Sequence, residues 1–409
     1  MALMVLLPLL ISLFALLAPI ILLVTACLYL WQLQWNLKRD KNWDLPLPPG
    51  SMGLPFFGET FHWLLQGSNF HASRRKQHGN VFKTHLLGRP VVRVTGAEHL
   101  RRLLLEEHNL VGANWPQSAQ AILGSTSLAN STGDIHRHRR KVYARIFSHS
   151  ALESYLPRIK QVVAETVRDW CARECPVTVY PESKKLMFRI AVAVLLGSSP
   201  SDKELTDLFT IFEQLTKNIF SLPLDVPGSG YRKGIRARDR LHQYFEKVIE
   251  DMLQSSSYKE YSTALSILIN SSKEHGTEMS IQELKGFQIP KGWSVMYSIR
   301  DTHDTAPIFQ HPEIFDPDRF AKDQMKDKNA RFQYLPFGGG VRRCLGKELA
   351  KLILKVLAIE LASLSHWELA TKTFPKMLMV PIVHPADGLK VQFSAQLCNK
   401  SKVAEVSLE

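Results

Sequence analysis

The sequence predicts a mainly α-helical protein with small β-sheets, preceded by an N-terminal transmembrane helix. Three observations lead to this fold class. Apolar residues recur at helical spacing through much of the 409-residue chain, as they do around Tyr155. Short β-branched runs separated by glycine and proline predict hairpins. An uncharged apolar run near the N-terminus is long enough to cross a bilayer.

That apolar run is residues 2–31, and the first basic residues, Lys38 and Arg39, follow it. About 20 apolar residues span a bilayer, so residues 1–37 are predicted to form a membrane anchor. A cleaved signal peptide is the competing interpretation, but nothing basic precedes the run. Because positive residues favour the cytosolic side, the chain after Lys38 is expected to be cytosolic. The sequence also predicts an interfacial aromatic belt, formed by Trp31, Trp35 and Trp43.

The next elements are read from proline, glycine and apolar spacing. Residues 38–55 combine basic residues with dense proline, which predicts a stiff hinge. Residues 81–94 predict a hairpin that turns at Gly88-Arg89-Pro90, and a second hairpin is expected around Pro290-Lys291-Gly292. Helical spacing predicts core-facing helices at three places, which contain Tyr155 and Ile159, Leu241 and Phe245, and Leu352 and Val356.

The composition excludes several classes of protein. With 45% apolar and 22% charged residues it is typical of a globular domain. Five scattered cysteines are too few for a disulfide framework and indicate a reducing compartment. The net charge of +13 fits a nucleic-acid-binding protein at first sight, but the basic residues are dispersed and accompany no such motif. We therefore expect no nucleic-acid partner, and an anionic membrane surface or an acidic protein fits the charge equally well.

The strongest chemical signal is the glycine-rich segment 337–346, which presents Cys344 at the start of a predicted helix. The helix N-terminus and the neighbouring Arg342 and Arg343 favour a thiolate there. Consecutive glycines carry no Cβ, so a flat group could lie close to the backbone. This arrangement suits a thiolate that ligates a metal.

The spacing F-x-x-G-x-R-x-C-x-G resembles the haem-ligand signature of the cytochromes P450, and it is matched at Phe337, Gly340, Arg342, Cys344 and Gly346. The resemblance implies a P450 fold with haem b as cofactor, Cys344 as the iron ligand and Arg342 as a partner of a haem propionate. A dinucleotide-binding loop would need glycine at Arg343, and a P-loop would need Ser or Thr at Glu348. A buried free cysteine beside a turn is the remaining alternative.

The same resemblance gives a role to the basic cluster at residues 133–141. In the family, a tryptophan and an arginine four residues apart hold a haem propionate, and here His136 and Arg140 occupy these positions. The spacing places both side chains on one helix face. A solvated helix face is the alternative for such a basic run.

Longer strings, at residues 50–53, 81–90 and 286–301, are similar to the retinoic-acid-hydroxylating P450s of vertebrates. This implies a monooxygenase of the endoplasmic-reticulum membrane that hydroxylates and inactivates retinoic acid or a related apolar acid. It would use molecular oxygen and electrons from NADPH through P450 reductase. The substrate contacts implied by position are Trp115, Phe220 in a lid over the substrate channel, and Val380.

The chain departs from the family between Lys285 and Gly286. Family members carry there the helix with the oxygen-activating Ala/Gly-x-x-Thr segment and the helix with Glu-x-x-Arg, so no catalytic residue is identified here. The P450 domain is expected in two parts, residues 56–285 and the haem-ligand part 286–409. We expect impaired haem retention and little turnover. The alternative is a non-catalytic, membrane-anchored splice form or truncated gene model that binds haem, retinoid or reductase.

Overall fold

The structure is a computed structural model that describes residues 2–39, 45–107, 111–197, 200–254, 263–265, 267, 289–309, 311–312, 314–320, 332–378 and 383–396. The helices are α1 (Ala2–Leu37), α2 (Thr60–Gln66), α3 (Ser68–His78), α4 (Ala97–Leu105), α5 (Gln117–Leu123), α6 (Gly133–Ala144), α7 (His149–Ala172), α8 (Val179–Leu195), α9 (Asp202–Asn218), α10 (Gly230–Gln254), α11 (Ile299–Asp304) and α12 (Lys347–Leu364). The strands are β1 (Val81–Leu86), β2 (Arg89–Val94), β3 (Val177–Thr178), β4 (Ser294–Tyr297), β5 (Ser365–Leu369), β6 (Met377–Leu378), β7 (His384–Pro385) and β8 (Lys390–Ala395).

The chain forms two compact units, and each combines residues from both sides of the Lys285–Gly286 join. The first unit is Met1–Gly112 with Ser280–Arg343, and the second is Ala113–Met279 with Cys344–Glu409. The join itself lies outside the described residues. The mainly helical fold with small sheets agrees with the fold class predicted from the sequence.

A three-stranded sheet in the order β1-β2-β4 organises the first unit. Strands β1 and β2 pair antiparallel, which confirms the predicted hairpin. The turn lies at Leu87 and Gly88 and not at Gly88-Arg89-Pro90, because Arg89 and Pro90 already belong to β2 and pair with β1. Leu87 and Gly88 have φ of 51° and 75°, the left-handed values that a two-residue hairpin turn requires.

The second predicted hairpin has a different outcome. Strand β4 pairs in parallel with β2, with Val92 opposite Val295, and so it extends the first sheet. The backbone turns before it, where Trp293 donates to the carbonyl of Pro290 at 3.1 Å. The other predicted arm, Phe287 and Gln288, lies outside the described residues.

Helix α1 ends inside the first unit. Its segment Leu17–Leu37 is long and apolar enough to cross a membrane, by length and composition. Trp35, however, is only 5% exposed, and its ring lies 5.7 Å from that of Trp293. Trp31 packs on Trp35 at 5.4 Å and donates from Nε1 to the carbonyl of Met52 at 3.4 Å. The predicted interfacial belt is therefore wrong at Trp35, which buries its indole in protein, while Trp43 lies outside the described residues.

A buried ionic network joins β2, α3 and α11 in the first unit. Asp301 is 4% exposed and accepts from Arg93 at 3.3 Å and from Arg300 at 2.8 Å. Arg75 of α3 donates to the Asp301 carbonyl at 3.3 Å. His71 of α3 lies within the electrostatic reach of these groups, and its Nδ1 is buried with no hydrogen bond among the described residues.

Lowering the pH from 6.5 to about 4 is expected to destabilise the first unit through His71. Burial is the main cause that lowers the pKa of His71 from 6.5 to about 4, with the Arg93 charge adding to it and Asp301 opposing it. The unfolded chain binds a proton in this window before the folded chain does, so stability falls as the pH falls. After allowance for partial solvent screening, the expected loss is about 2 kcal/mol.

Urea unfolding of the detergent-solubilised chain at a series of pH values measures this loss. His71→Phe is the matched control, because phenylalanine keeps a ring at this position and cannot be protonated. The control is expected to show a flatter profile between pH 6.5 and about 4. The same loss in both proteins would show that other groups cause the acid sensitivity.

The core of the second unit lies between α7, α12 and the sheet β3-β8-β5. The predicted α7 face is confirmed, since Tyr155, Ile159 and Val163 are each at most 1% exposed. In α10, Leu241 is buried as predicted, but Phe245 is 39% exposed and the prediction of a core residue is wrong there. Helix α12 buries Ile353 and Val356, and it exposes the apolar side chains of Leu354 and Ile359.

Candidate functional site

Cys344 lies directly before α12, as the sequence predicts. Its thiol is free and the residue is exposed. Gly346 is the N-cap of the helix, and its carbonyl accepts from the amide of Ala350 at 2.9 Å. A free, exposed thiol beside a helix N-terminus is accessible to a metal ion, as the prediction of a ligand at Cys344 requires.

The glycine loop, residues 335–343, belongs to the first unit. Gly340 has a φ of 62°, and a Cβ there would lie 2.0 Å from the carbonyl oxygen of Leu104, so only glycine fits against α4. Gly338 has a φ of 70°, and no atom of the described residues lies within 4 Å of the place a Cβ would take. The backbone is therefore open at Gly338, and a flat group could approach it there, whereas Gly340 backs onto protein. Phe337, which lies between Leu335 and the two glycines in the sequence, is half-buried.

Arg342 binds a carboxylate. Its Nε donates to Oε1 of Glu107, a residue 235 positions away in the sequence. The two side chains are 19% and 9% exposed. A charge-assisted bond of this kind is the interaction that a propionate would make, so the guanidinium lies in a position that suits a carboxylate partner. Sequence reasoning missed Glu107, because no local pattern marks it.

The basic helix predicted around Arg140 is α6. His136 is 2% exposed and therefore faces the interior, while Arg140, one turn later, is half-buried. The outward face carries Arg137, which pairs with Asp134 at 2.8 Å. The alternative of a solvated face holds for Arg137 and does not hold for His136. The role of His136 and Arg140 toward a propionate remains a prediction.

The structure brings together Trp115 and Phe220, two of the three predicted substrate contacts. Their ring centroids are 6.4 Å apart, and the side chains are 40% and 63% exposed. Phe220 lies in the connection between α9 and α10, so the predicted break in the helical pattern is present, and its role as a lid stays a prediction beside the alternative of an ordinary surface loop. Val380 lies outside the described residues.

Two amide side chains that the sequence analysis missed support Trp115. Gln120 donates from Nε2 to the Trp115 carbonyl at 2.7 Å. Asn130 donates from Nδ2 to the carbonyls of Gln120 and Gly124 at 2.9 and 2.7 Å. The indole Nε1 of Trp115 donates to the Ala129 carbonyl at 3.2 Å. These bonds leave the face of the indole available for an apolar contact.

Known proteins resemble this chain along most of its length. The chain is 48% identical to Cytochrome P450 26B1 of Xenopus tropicalis, with 96% of this chain and 95% of the relative covered. It is 46% identical to Cytochrome P450 26B1 and 43% identical to Cytochrome P450 26C1 of Homo sapiens, with 96% and 91% of this chain covered and 95% and 93% of the relatives.

Among solved structures, cyanobacterial CYP120A1 with retinoic acid bound is similar at a TM-score of 0.73 and 27% identity. That match covers 87% of this chain and 100% of the other. Cytochrome P450 OleT shares the fold at a TM-score of 0.66 and 15% identity, over 83% of this chain and 97% of the other. The sequence model of the Cytochrome P450 family matches residues 48–285 and 282–393. With most of its length matched in this way, the chain belongs to the cytochrome P450 family.

Proposed function

We propose that this chain has the site of a haem-thiolate monooxygenase that hydroxylates and thereby inactivates retinoic acid. Family membership makes haem iron its cofactor, and oxygen, NADPH and P450 reductase its co-reactants. The observation that carries the proposal is a free, exposed Cys344 directly before α12, within the matched signature. The retinoic acid bound by the cyanobacterial neighbour supports the substrate class.

The side chains present fit a haem. From the resemblance, we propose that Cys344 Sγ ligates the iron. Within the first unit, the backbone at Gly338 is open to a flat ring system. Arg342 binds the Glu107 carboxylate within the first unit. From the resemblance, we propose that Arg342, Arg140 and His136 hold the propionates. Bound haem supplies the activation of oxygen for insertion into a carbon–hydrogen bond. Gly340 keeps the loop close to α4, where a side chain would not fit. We assign Phe337 to the cofactor site from the resemblance alone.

The pair formed by Trp115 and Phe220 suits an elongated apolar substrate. Aromatic walls with few polar groups are typical of sites for such ligands. Both rings are partly exposed, so a polyene could cover them and remove their apolar area from water. We place Val380 in the same pocket from the resemblance.

Trp115→Ala and Phe220→Ala are each expected to weaken retinoic-acid binding by at least about tenfold, since burying a large aromatic side chain against a ligand stabilises the complex by about 1.5–3 kcal/mol. Equilibrium dialysis with the detergent-solubilised chain measures this without turnover. Trp367→Ala is the matched control, because Trp367 of β5 is another partly exposed aromatic residue of the second unit, with 55% of its surface exposed. Equal binding by all variants, or equal weakening by the control, would contradict the assignment.

We further propose that this chain is impaired as an enzyme because it lacks an internal segment at Lys285–Gly286. The two-part family match, which divides at residues 282–285, supports this. The alignments to the relatives from Xenopus tropicalis and Homo sapiens run over 486 and 487 residues, more than the 409 residues of this chain. The non-catalytic alternative, a splice form or truncated gene model that binds haem, retinoid or reductase without turnover, has the same support.

The proposed location is the endoplasmic-reticulum membrane, with the haem domain in the cytosol. Helix α1 supplies a candidate span, and the basic residues after it favour the cytosolic side. The cytochrome P450 relatives support a membrane-anchored enzyme of this kind.

A further inference from the structure

Leu335 is the residue at which the glycine loop is fixed to the rest of the first unit. Its amide donates to Nε2 of His303 in α11 at 2.7 Å. Its carbonyl accepts from the amide of Gly338 at 2.9 Å. Its side chain is 4% exposed and belongs to the core cluster that contains Leu104 and Phe332. Both main-chain groups and the side chain are therefore engaged at the start of the loop.

His303 is held in place by aromatic neighbours. Its ring lies 5.0 Å from that of Tyr334, the residue before Leu335. Tyr334 in turn contacts Phe309 and Phe320 at 5.4 and 5.1 Å. These ring contacts restrict the rotamer of His303, so its Nε2 stays directed at the Leu335 amide.

The hydrogen bond requires a neutral imidazole with its proton on Nδ1, because Nε2 must offer a lone pair. Burial lowers the pKa of His303, against the opposing charge of Asp304. The ring is therefore neutral at physiological pH and can accept. Without His303, the buried Leu335 amide would lose the acceptor that it has among the described residues, and an unpaired buried donor is costly.

We propose that His303 is a positioning residue for the glycine loop, acting through the Leu335 amide on the backbone that precedes Cys344. The hydrogen bond from His303 holds the Leu335 backbone in place, and the Leu335 carbonyl in turn binds the Gly338 amide. The loop then continues to Arg342 in the conformation in which Arg342 binds Glu107. The consequence for haem ligation rests on the proposed function, but the hold on the loop involves no cofactor.

Hydrogen–deuterium exchange on the full chain in detergent tests the proposal with two variants. His303→Phe keeps an aromatic ring and removes the acceptor, while His303→Gln restores an acceptor near the position of Nε2. Exchange at Leu335 is expected to accelerate at least about tenfold in the phenylalanine variant, because a buried donor loses its partner. In the glutamine variant it should stay within about threefold of wild type. Amides of β1 serve as the reference for the intact first unit.

Unchanged protection at Leu335 in His303→Phe would overturn the proposal. Equal loss in both variants would overturn it too, because the ring packing and not the hydrogen bond would then hold the loop. The reduced, carbon-monoxide difference spectrum after haem addition separates this from the proposed function. Absence of a thiolate-type band in a chain that also carries the internal segment of a full-length relative counts against Cys344 ligation, whereas the exchange ratios decide the role of His303.

Discussion

Inserting the corresponding segment of a full-length relative between Lys285 and Gly286 is expected to raise haem per polypeptide to near one. Retinoic-acid hydroxylation should rise by about a thousandfold or more, since a positioned proton-transfer group contributes about 10²–10⁴-fold. The segment would return the oxygen-activating helix that the family carries there. Turnover with NADPH and reductase, followed by product analysis, measures the gain.

Helix α12 exposes apolar side chains on which the inserted segment is expected to pack. Leu354 and Ile359 of α12 are 59% and 63% exposed, although they lie on the helix that begins beside Cys344. Apolar side chains at such positions are stabilised when a further element covers them. A flexible glycine–serine insert of equal length is the matched control and should restore neither haem nor turnover. Hydroxylation by the unmodified chain at the rate of the restored chain would contradict this prediction.

Replacing Cys344 with serine in the restored chain should remove the thiolate-type Soret band and abolish hydroxylation. Serine keeps the size of the side chain but offers no soft thiolate to iron, and the thiolate is what favours oxygen–oxygen cleavage in this family. Activity is expected to fall by at least about a thousandfold, as when a member of a catalytic unit is removed. The reduced, carbon-monoxide difference spectrum reports the ligand directly.

Cys175→Ser is the matched control for that experiment, because Cys175 is also free and exposed in the second unit. It should keep the band and the activity of its parent. A thiolate-type band that survives in Cys344→Ser would assign the ligand to another cysteine. Loss of the band in both variants would indicate a general effect of thiol removal on folding.

The spacing of apolar residues in the sequence predicted those elements that are formed by residues close together in the chain. The hairpin of β1 and β2 and the buried face of α7 follow from alternation and helical spacing, which the chain carries within a few residues. The turn shifted by one residue because Leu87 takes a left-handed conformation, a choice that depends on the flanking strand pairs. Cys344 could be found because its motif is contiguous.

The contacts that support the site were not predictable in this way. Glu107 meets Arg342 across 235 residues, and His303 meets Leu335 across 32. Such pairs depend on how whole elements pack, and no spacing in the sequence marks them. The prediction for Trp35 was wrong for a related reason. An indole fits a membrane interface and a protein core equally well, and only its packing against Trp293 distinguishes the two.

The burial of Trp35 makes α1, the candidate membrane span, a structural partner of the sheet β1-β2-β4 in the first unit. A chain shortened to begin after Lys38 would lose this indole from beside Trp293, and emptying the site of a buried tryptophan costs about 3–5 kcal/mol. Such a truncation would therefore raise solubility but lower the stability of the domain. If α1 crosses a bilayer, the contact between Trp35 and Trp293 would link the tilt of the helix to the sheet through β4, and a change in membrane thickness would act on the sheet through this contact.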